Sequence, residues 1–191
     1  MNKLKIKVMK SFATILLLSA VLVFTSCEGP QGPPGLDGTS FIGSVFEIQG
    51  DFTPNNNYSM FFDFPGNFEI YDSDVVLVYI LWEQSNGVDI WRLMPQTVVL
   101  KTIYPDWSET DVLQYNFDYT VNDVQIFLEG TVDFSTLLPA ETDNQIFRIV
   151  VLPADFVAKN TVDISDFNSV IKAPELKINA IEKVNPKEIT K

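Results

Sequence analysis

The segment LQYNFDYTV, residues 113–121, limits the fold of this chain more than any other. Apolar residues stand at every second position, from Leu113 to Val121, and polar residues stand between them. Successive side chains of a β-strand point to opposite faces of its sheet, so this pattern collects the apolar groups on one face. In an α-helix, with about 3.6 residues per turn, the same groups would be spread around the axis. The segment is therefore predicted to be a half-buried strand.

Other segments share the β-branched and aromatic composition of strands. Residues 75–82 are apolar at every position, which predicts a central strand buried on both faces. Residues 124–129 follow Asn122-Asp123, which predicts a hairpin with a two-residue turn at positive φ. Asn86-Gly87 predicts a second such turn, leading into residues 88–94. The remaining predicted strands are residues 41–49, 58–64, 68–71, 97–102, 145–152 and 175–181.

Signals for helices are few in this sequence. Ser165 is predicted to cap a short helical turn that runs through Ile171 and ends before Pro174. Many short strands with frequent turn residues and very little helix predict an all-β fold, an antiparallel β-sandwich of Ig-like or jelly-roll-like type. Residues 41–191 have the size of a single domain with a full core.

The chain begins with the pattern of a secretory signal. Four lysines precede residues 11–26, which are uncharged, mostly apolar and shorter than the roughly 20 apolar residues of a membrane-spanning helix. The run ends in Phe24-Thr25-Ser26-Cys27, which resembles the lipobox of bacterial lipoproteins with Phe24 where leucine is usual. The resemblance implies that residues 1–26 are a signal peptide and that Cys27 carries the lipid. Cys27 is the only cysteine, so no disulfide is expected within the chain.

Glycine then recurs at every third position, at residues 29, 32, 35 and 38. Collagen requires this spacing because only hydrogen fits at the axis of its triple helix. Four G-x-y triplets are few for a triple helix, so residues 27–40 are predicted to be an extended linker of a monomeric protein. At about 3.1 Å per residue, twelve residues reach roughly 40 Å, enough to hold the domain away from lipid headgroups.

The order of signal, lipobox cysteine, G-x-y run and acidic β-rich domain is similar to that of a group of lipoproteins of Bacteroidetes-type bacteria. The segments DIWRLMPQ, LQYNFDYTVNDVQIFLEG and QIFRIVVLPADF look like segments of those proteins. The resemblance implies a lipid-anchored location at the outer membrane and no established activity. Whether the domain faces the cell surface or the periplasm is left open by the sequence.

The domain is strongly acidic. The whole chain has 13 basic and 25 acidic residues, and loss of four signal lysines would leave nine basic residues and a net charge of −16. Such a surface repels phosphate backbones and anionic lipid, so we predict no nucleic-acid partner. The charge serves either solubility beside a membrane or the binding of cations or a cationic partner.

The chemistry available to this chain is limited because it has no histidine. Its absence removes Ser-His-Asp and Cys-His nucleophiles and histidine-bound zinc or iron, so we expect neither an enzyme nor a cofactor. Two carboxylates can hydrolyse glycosides, but no spacing selects a pair among so many acids. Asp72, Asp74, Asp163 and Asp166 have the oxygen ligands that calcium prefers, although carboxylates at turns and strand ends give the same pattern.

Aromatic residues provide the remaining candidates for a binding site. Trp82 and Trp91 lie in predicted strands at positions that favour packing in the core. Trp107 lies in a polar loop and is the candidate ligand contact, with exposure and burial both open. These patterns favour a non-enzymatic, lipid-anchored accessory or interaction protein of the cell envelope. The alternatives are a carbohydrate-binding module and, third, an acid-pair glycoside hydrolase.

Overall fold

Two β-sheets make up most of the domain. The computed structural model describes residues 41–159 and 161–186, and the predicted signal peptide, Cys27 and G-x-y linker lie outside them. Among the described residues, the strands are β1 (Phe41–Gly50), β2 (Ser59–Asp63), β3 (Val75–Ser85), β4 (Val88–Leu93), β5 (Gln96–Val99), β6 (Val112–Tyr119), β7 (Asp123–Gly130), β8 (Gln145–Leu152) and β9 (Leu176–Val184). The helices are α1 (Pro139–Thr142), α2 (Ala154–Lys159) and α3 (Phe167–Ile171), with 3₁₀ turns at Pro54–Asn56, Leu100–Thr102 and Phe134–Thr136.

The two sheets give the all-β sandwich that the sequence predicts. One sheet has the strand order β4-β3-β8-β1-β9 and the other β2-β7-β6-β5. Strand β9 runs parallel to β1, with a register shift between Gly43 and Val45, whereas the other described strand pairs are antiparallel. The parallel pair is a feature that local patterns did not reveal. No helix in the described residues is long and apolar enough to cross a membrane.

The two predicted hairpin turns differ in outcome. Asn86 and Gly87 both have positive φ, 52° and 77°, and connect β3 to β4, as predicted. The turn between β6 and β7 is centred on Val121-Asn122, one residue before the predicted Asn122-Asp123, because Tyr119 pairs with Val124. Neither Asn122 nor Asp123 has the predicted positive φ. The Thr120 hydroxyl donates to the Asp123 carboxylate at 2.6 Å, and the Thr120 N–H donates to the Asp123 carbonyl at 2.9 Å. The predicted turn was wrong in its position and in its φ angles, because the bonds between Thr120 and Asp123 close the turn one residue earlier.

Three local predictions also differ from the structure. Residues 68–71 form no strand; the Phe68 ring instead packs 5.2 Å from Phe46 and anchors a loop to the core. The strand predicted for residues 97–102 ends at Val99, and the chain turns so that Leu100 is buried. The cap of α3 is Asp166 rather than Ser165, because the Asp166 carboxylate accepts the backbone N–H of Asn168 at 3.0 Å.

The core has two layers, separated by the five-stranded sheet. The larger layer lies between the sheets and takes the alternate inward residues of β6, including Leu113 and Tyr115. The smaller layer lies on the outer face of the five-stranded sheet, where Phe156 of α2 and Phe167 of α3 belong to the same buried cluster as Tyr79 of β3. Strand β3 is thus buried on both faces, as its continuous apolar run predicts.

Candidate functional site

A pocket of about 240 Å³ opens where the two sheets meet the α1 segment. It reaches the surface at Ile103, which is 50% exposed. It also contains Glu141, which at 7% exposure is the most buried charged residue in the described chain. Larger depressions elsewhere have lining residues such as Asn55 and Asn67 and contain no buried charge. The residues that line the pocket are Ile80, Leu81, Trp82, Val98, Ile103, Tyr104, Leu113, Tyr115, Ala140, Glu141 and Gln145.

The Glu141 carboxylate is held by two hydrogen bonds from the protein. Helix α1 begins with Pro139, and the backbone N–H of Leu138 donates to Glu141 Oε2 at 3.1 Å. This contact resembles the part of a capping box in which the third helical residue reaches back to the cap. The Tyr104 hydroxyl donates to Glu141 Oε1. Both carboxylate oxygens therefore have a partner, which offsets the cost of burying the charge.

Two tyrosines surround Glu141 and are held as hydrogen-bond donors. The hydrogen bond to Glu141 raises the pKa of Tyr104 to about 12. Burial, followed by the charge of Glu141, raises the pKa of Tyr115 above its ordinary value. The Tyr115 hydroxyl donates to the Glu141 backbone carbonyl at 2.9 Å. Both phenols are therefore protonated at neutral pH, and each directs its hydrogen at Glu141.

The segment after α1 completes the pocket through Gln145. The Gln145 side-chain amide donates to the carbonyl oxygens of Ala140 and Asp143, at 3.0 Å each. These bonds tie the first residue of β8 to the helical turn before it. The carboxamide thus has both of its hydrogens engaged by the backbone, and its oxygen is the group it can still offer to a ligand.

Trp82 contributes an aromatic wall and carries a cation on its ring. The guanidinium carbon of Arg92 lies 4.0 Å from the centroid of the Trp82 ring, a cation–π contact. Arg92 lies on the edge strand β4 and pairs with Ile80 of the neighbouring strand β3. This pair lies next to a register shift between Leu81 and Glu83 of β3. Trp82 is half-buried and packs against the core between the sheets, in agreement with its predicted packing role.

Trp107 lies beside the pocket rather than in its lining. Its backbone N–H donates to the Tyr104 carbonyl at 3.1 Å, and the two rings are 5.9 Å apart at an angle of 38°. The indole is half-buried and packs against the core between the sheets. Trp107, the predicted ligand contact, therefore packs against Tyr104, and part of the indole ring of Trp107 remains accessible.

Three of the four carboxylates considered for calcium, Asp74, Asp163 and Asp166, serve as caps of turns or of a helix. Asp74 Oδ2 accepts the backbone N–H of Tyr71 at 3.0 Å. Asp163 Oδ1 accepts the Ser165 hydroxyl at 2.6 Å and the Ser165 N–H at 2.9 Å, and these bonds lower the pKa of Asp163. Asp166 caps α3. Over residues 41–159 and 161–186 no three acidic residues come close enough together to hold a metal ion.

A second charged group lies on the outer face of the five-stranded sheet. Glu47 Oε2 accepts Arg148 Nε and Nη2, at 2.9 Å each, and Glu47 Oε1 lies 2.8 Å from Lys183 Nζ. The Arg148 guanidinium also stacks on Trp91 at 3.9 Å and on Phe167 at 4.7 Å. Burial alone would raise the pKa of Glu47, but the hydrogen bonds from Lys183 and Arg148 lower it on balance. This cluster joins β1, β8, β4 and α3, and Trp91 packs within it as predicted.

Sequence reasoning did not find the residues that meet in the pocket. Tyr104, Glu141 and Gln145 come from separate segments that carry no shared motif. The one local signal is Pro139 with Glu141 two residues later, a pattern typical of a first helical turn. Comparisons with protein families, with curated proteins and with solved structures found no match to this chain.

Proposed function

We propose that this protein is a lipid-anchored, non-enzymatic accessory protein of the cell envelope that binds a partner through its β-sandwich. The observation that carries the proposal is the pocket around Glu141. Acid–base hydrolysis of a glycoside uses two carboxylates that lie about 5–10 Å apart across the bond to be broken. Glu141 is the only carboxylate among the residues that line this pocket, and its two oxygens already accept hydrogen bonds. The pocket is therefore better suited to binding than to proton transfer.

The anchor part of the proposal rests on residues 3–40, which lie outside the described residues. Cys27→Ala in the full chain should move the protein from the membrane fraction to the soluble fraction, or leave it as unprocessed precursor. Ser40→Ala, in the same leader and linker region, is the matched control and should remain in the membrane fraction. Radiolabelled palmitate entering the Cys27→Ala protein would contradict a lipid anchor at this cysteine.

The binding part is tested by capture from native membranes with the full-length protein. We expect the wild-type chain to retain one or more envelope components that a pocket-filling variant, Ala140→Phe, does not retain. Ala140 is exposed and its side chain makes no hydrogen bond, so the substitution should leave the fold intact. Identical capture by both proteins would show that the pocket is not the binding site.

A carbohydrate-binding module is the second candidate, favoured by the aromatic side chains around the pocket. Trp82 and Tyr104 line it, and Trp107 contacts Tyr104. Flat rings beside hydrogen-bonding groups are a common arrangement for binding a sugar ring. Titration with a panel of polysaccharides, followed by tryptophan fluorescence, tests this candidate.

A saturable change that Trp107→Ala removes without unfolding the domain would favour the sugar-binding function over an accessory role. The accessory role predicts no glycan response in the parent protein. It also predicts that Trp107→Ala lowers the unfolding free energy by about 1–3 kcal/mol, because the ring is only half-buried and full burial is worth about 3–5 kcal/mol.

A further inference from the structure

We propose that the Glu141 pocket binds a primary ammonium group carried on an apolar stem. This inference rests on the proposed binding function and names the chemistry of its ligand. Three features of the pocket support it: which hydrogen-bonding groups are still free, where the charge lies, and how large the cavity is.

The first feature is that the hydroxyl and amide side chains of the pocket have already used their hydrogens. The Tyr104 hydroxyl donates to the Glu141 carboxylate, and the Tyr115 hydroxyl donates to the Glu141 carbonyl. The Gln145 amide donates to two backbone carbonyls. These side chains can therefore offer a ligand only oxygen lone pairs. An ammonium group has three donors and no acceptor, so it is complementary to this set of groups.

The second feature is a negative charge among aromatic rings. Glu141 is 7% exposed, both its hydrogen-bond partners are neutral, and no cation of the described residues forms an ion pair with it. A carboxylate in a site of low dielectric attracts a cation more strongly than one in water. The rings of Tyr104 and Tyr115 are electron-rich on their faces and favour a cation as well, whereas the Trp82 ring already carries Arg92. A neutral ligand would gain from neither effect.

The third feature is size. The cavity of about 240 Å³ is smaller than the roughly 300–1,000 Å³ of pockets for drug-sized ligands. It holds one flexible side chain or one small molecule, and Leu81, Val98 and Leu113 in its lining suit a chain of methylene groups. A lysine side chain of a partner protein and a free alkylamine share this chemistry. The negative charge of the whole chain, −12, also favours a basic partner.

Arg92 provides an independent test of whether the ligand is positively or negatively charged. Its guanidinium already lies on the Trp82 ring and no carboxylate of the described residues forms an ion pair with it. A cationic ligand would be repelled by Arg92, whereas an anionic ligand would be attracted by it. Arg92→Gln should therefore strengthen the binding of an ammonium group.

The test is a titration of the protein with n-butylammonium, followed by calorimetry and by NMR chemical shifts. We expect saturable binding with a dissociation constant on the order of 1 mM, as suits a ligand of few atoms. The uncharged n-butanol and the anionic butyrate are the matched ligand controls. Equal or stronger binding of either control would overturn the proposal.

Protein variants locate the site. Glu141→Gln should weaken n-butylammonium binding at least tenfold, and Ala140→Phe should block it. Glu109→Gln removes the same charge from a side chain that is 85% exposed, so it should bind like the wild type. If Glu141→Gln does not fold, the increase expected for Arg92→Gln and the block expected for Ala140→Phe still decide the matter. Unchanged binding in these two variants would place the amine elsewhere and refute the proposal.

Two further comparisons are needed. One distinguishes a protein partner from a small amine as the source of the ammonium group, and the other distinguishes failure of the ammonium inference from failure of the proposed binding function. A peptide with one lysine that binds at least tenfold more tightly than n-butylammonium indicates a protein partner, and equal affinity indicates a small amine. If Ala140→Phe abolishes capture from native membranes while no amine binds, the ammonium inference fails and the proposed binding function stands. If amines bind but capture is unaffected by Ala140→Phe, the pocket is not the site that binds the envelope partner, and the ammonium site stands.

Discussion

Arg148 is the side chain whose replacement tests the packing of this domain most directly. Its side chain is 15% exposed and forms two hydrogen bonds with Glu47, which is 11% exposed. Its flat guanidinium also lies 3.9 Å from the centroid of Trp91 and 4.7 Å from that of Phe167. We predict that Arg148→Met destabilises the domain mainly because it leaves the Glu47 charge poorly compensated.

The size of the effect follows from these contacts. Removing one partner of a buried ion pair costs about 3–5 kcal/mol because the other charge remains buried. Lys183 still lies 2.8 Å from Glu47 and compensates part of its charge, so we expect a smaller loss, about 2–4 kcal/mol. Arg148→Lys keeps the charge but loses the flat group, and each cation–π contact is worth about 0.5–2 kcal/mol. We therefore expect Arg148→Lys to cost about 1–3 kcal/mol.

Urea unfolding followed by circular dichroism measures these losses, and thermal melting gives a second value. In a domain of this size about 1 kcal/mol lowers the melting temperature by about 2–4 °C. Lys183→Met is the control, because its side chain is 82% exposed and an exposed pair is worth at most about 1 kcal/mol. The double variant Glu47→Gln with Arg148→Met should cost at least about 1 kcal/mol less than the sum of the single variants.

Two results would refute this reasoning. The first is an Arg148→Met protein whose melting temperature lies within about 2 °C of the wild type, which would mean that the ion pair and the stack contribute nothing net. The second is strict additivity in the double variant, which would mean that Glu47 and Arg148 do not interact in the folded protein.

Three further predictions concern the backbone and the response to acid. In Gly130→Ala the new Cβ would clash with the Val112 carbonyl oxygen, and the backbone would have to keep a φ of +149°. The unfolding free energy measured in urea should therefore fall by about 3 kcal/mol or more. Gly66→Ala is the control, because its new Cβ meets no atom within 4 Å, and it should change the unfolding free energy by less than about 0.5 kcal/mol. Gly87→Val should cost about 1–3 kcal/mol because a β-branched residue resists a φ of +77°, and an unmoved melting curve would contradict the turn. The pKa of Glu47 is lower in the folded protein than its ordinary value of 4.5, so the stability that this carboxylate contributes is complete above pH 4.5 and is lost as the pH falls through the folded-state pKa. Unfolding free energies measured from pH 6 downward should therefore fall less steeply in Glu47→Gln than in the wild type. Parallel curves for the two proteins would argue against the pKa shift.

Local patterns were sufficient to locate most of the strands. The alternation in residues 113–121 and the apolar run in residues 75–82 match β6 and β3, because the side-chain period of a strand depends only on neighbouring residues. Asn86-Gly87 was predicted correctly for the same reason, since a two-residue turn is specified by its own φ angles. The turn before β7 was placed one residue too late, because the pairing of Tyr119 with Val124 centres it on Val121-Asn122.

The sequence by itself determined an acidic, histidine-free chain rich in strands, and it predicts a lipid anchor at Cys27 that the described residues do not include. Only the tertiary structure decided which strands pair, such as β9 beside β1 in parallel, and which side chains meet around Glu141. Tyr104 and Glu141 are 37 residues apart, and no local pattern relates them. Their contact depends on how two sheets and one short helix pack together. The sequence could therefore indicate what kind of fold to expect, whereas the pocket exists only once distant segments are brought into contact.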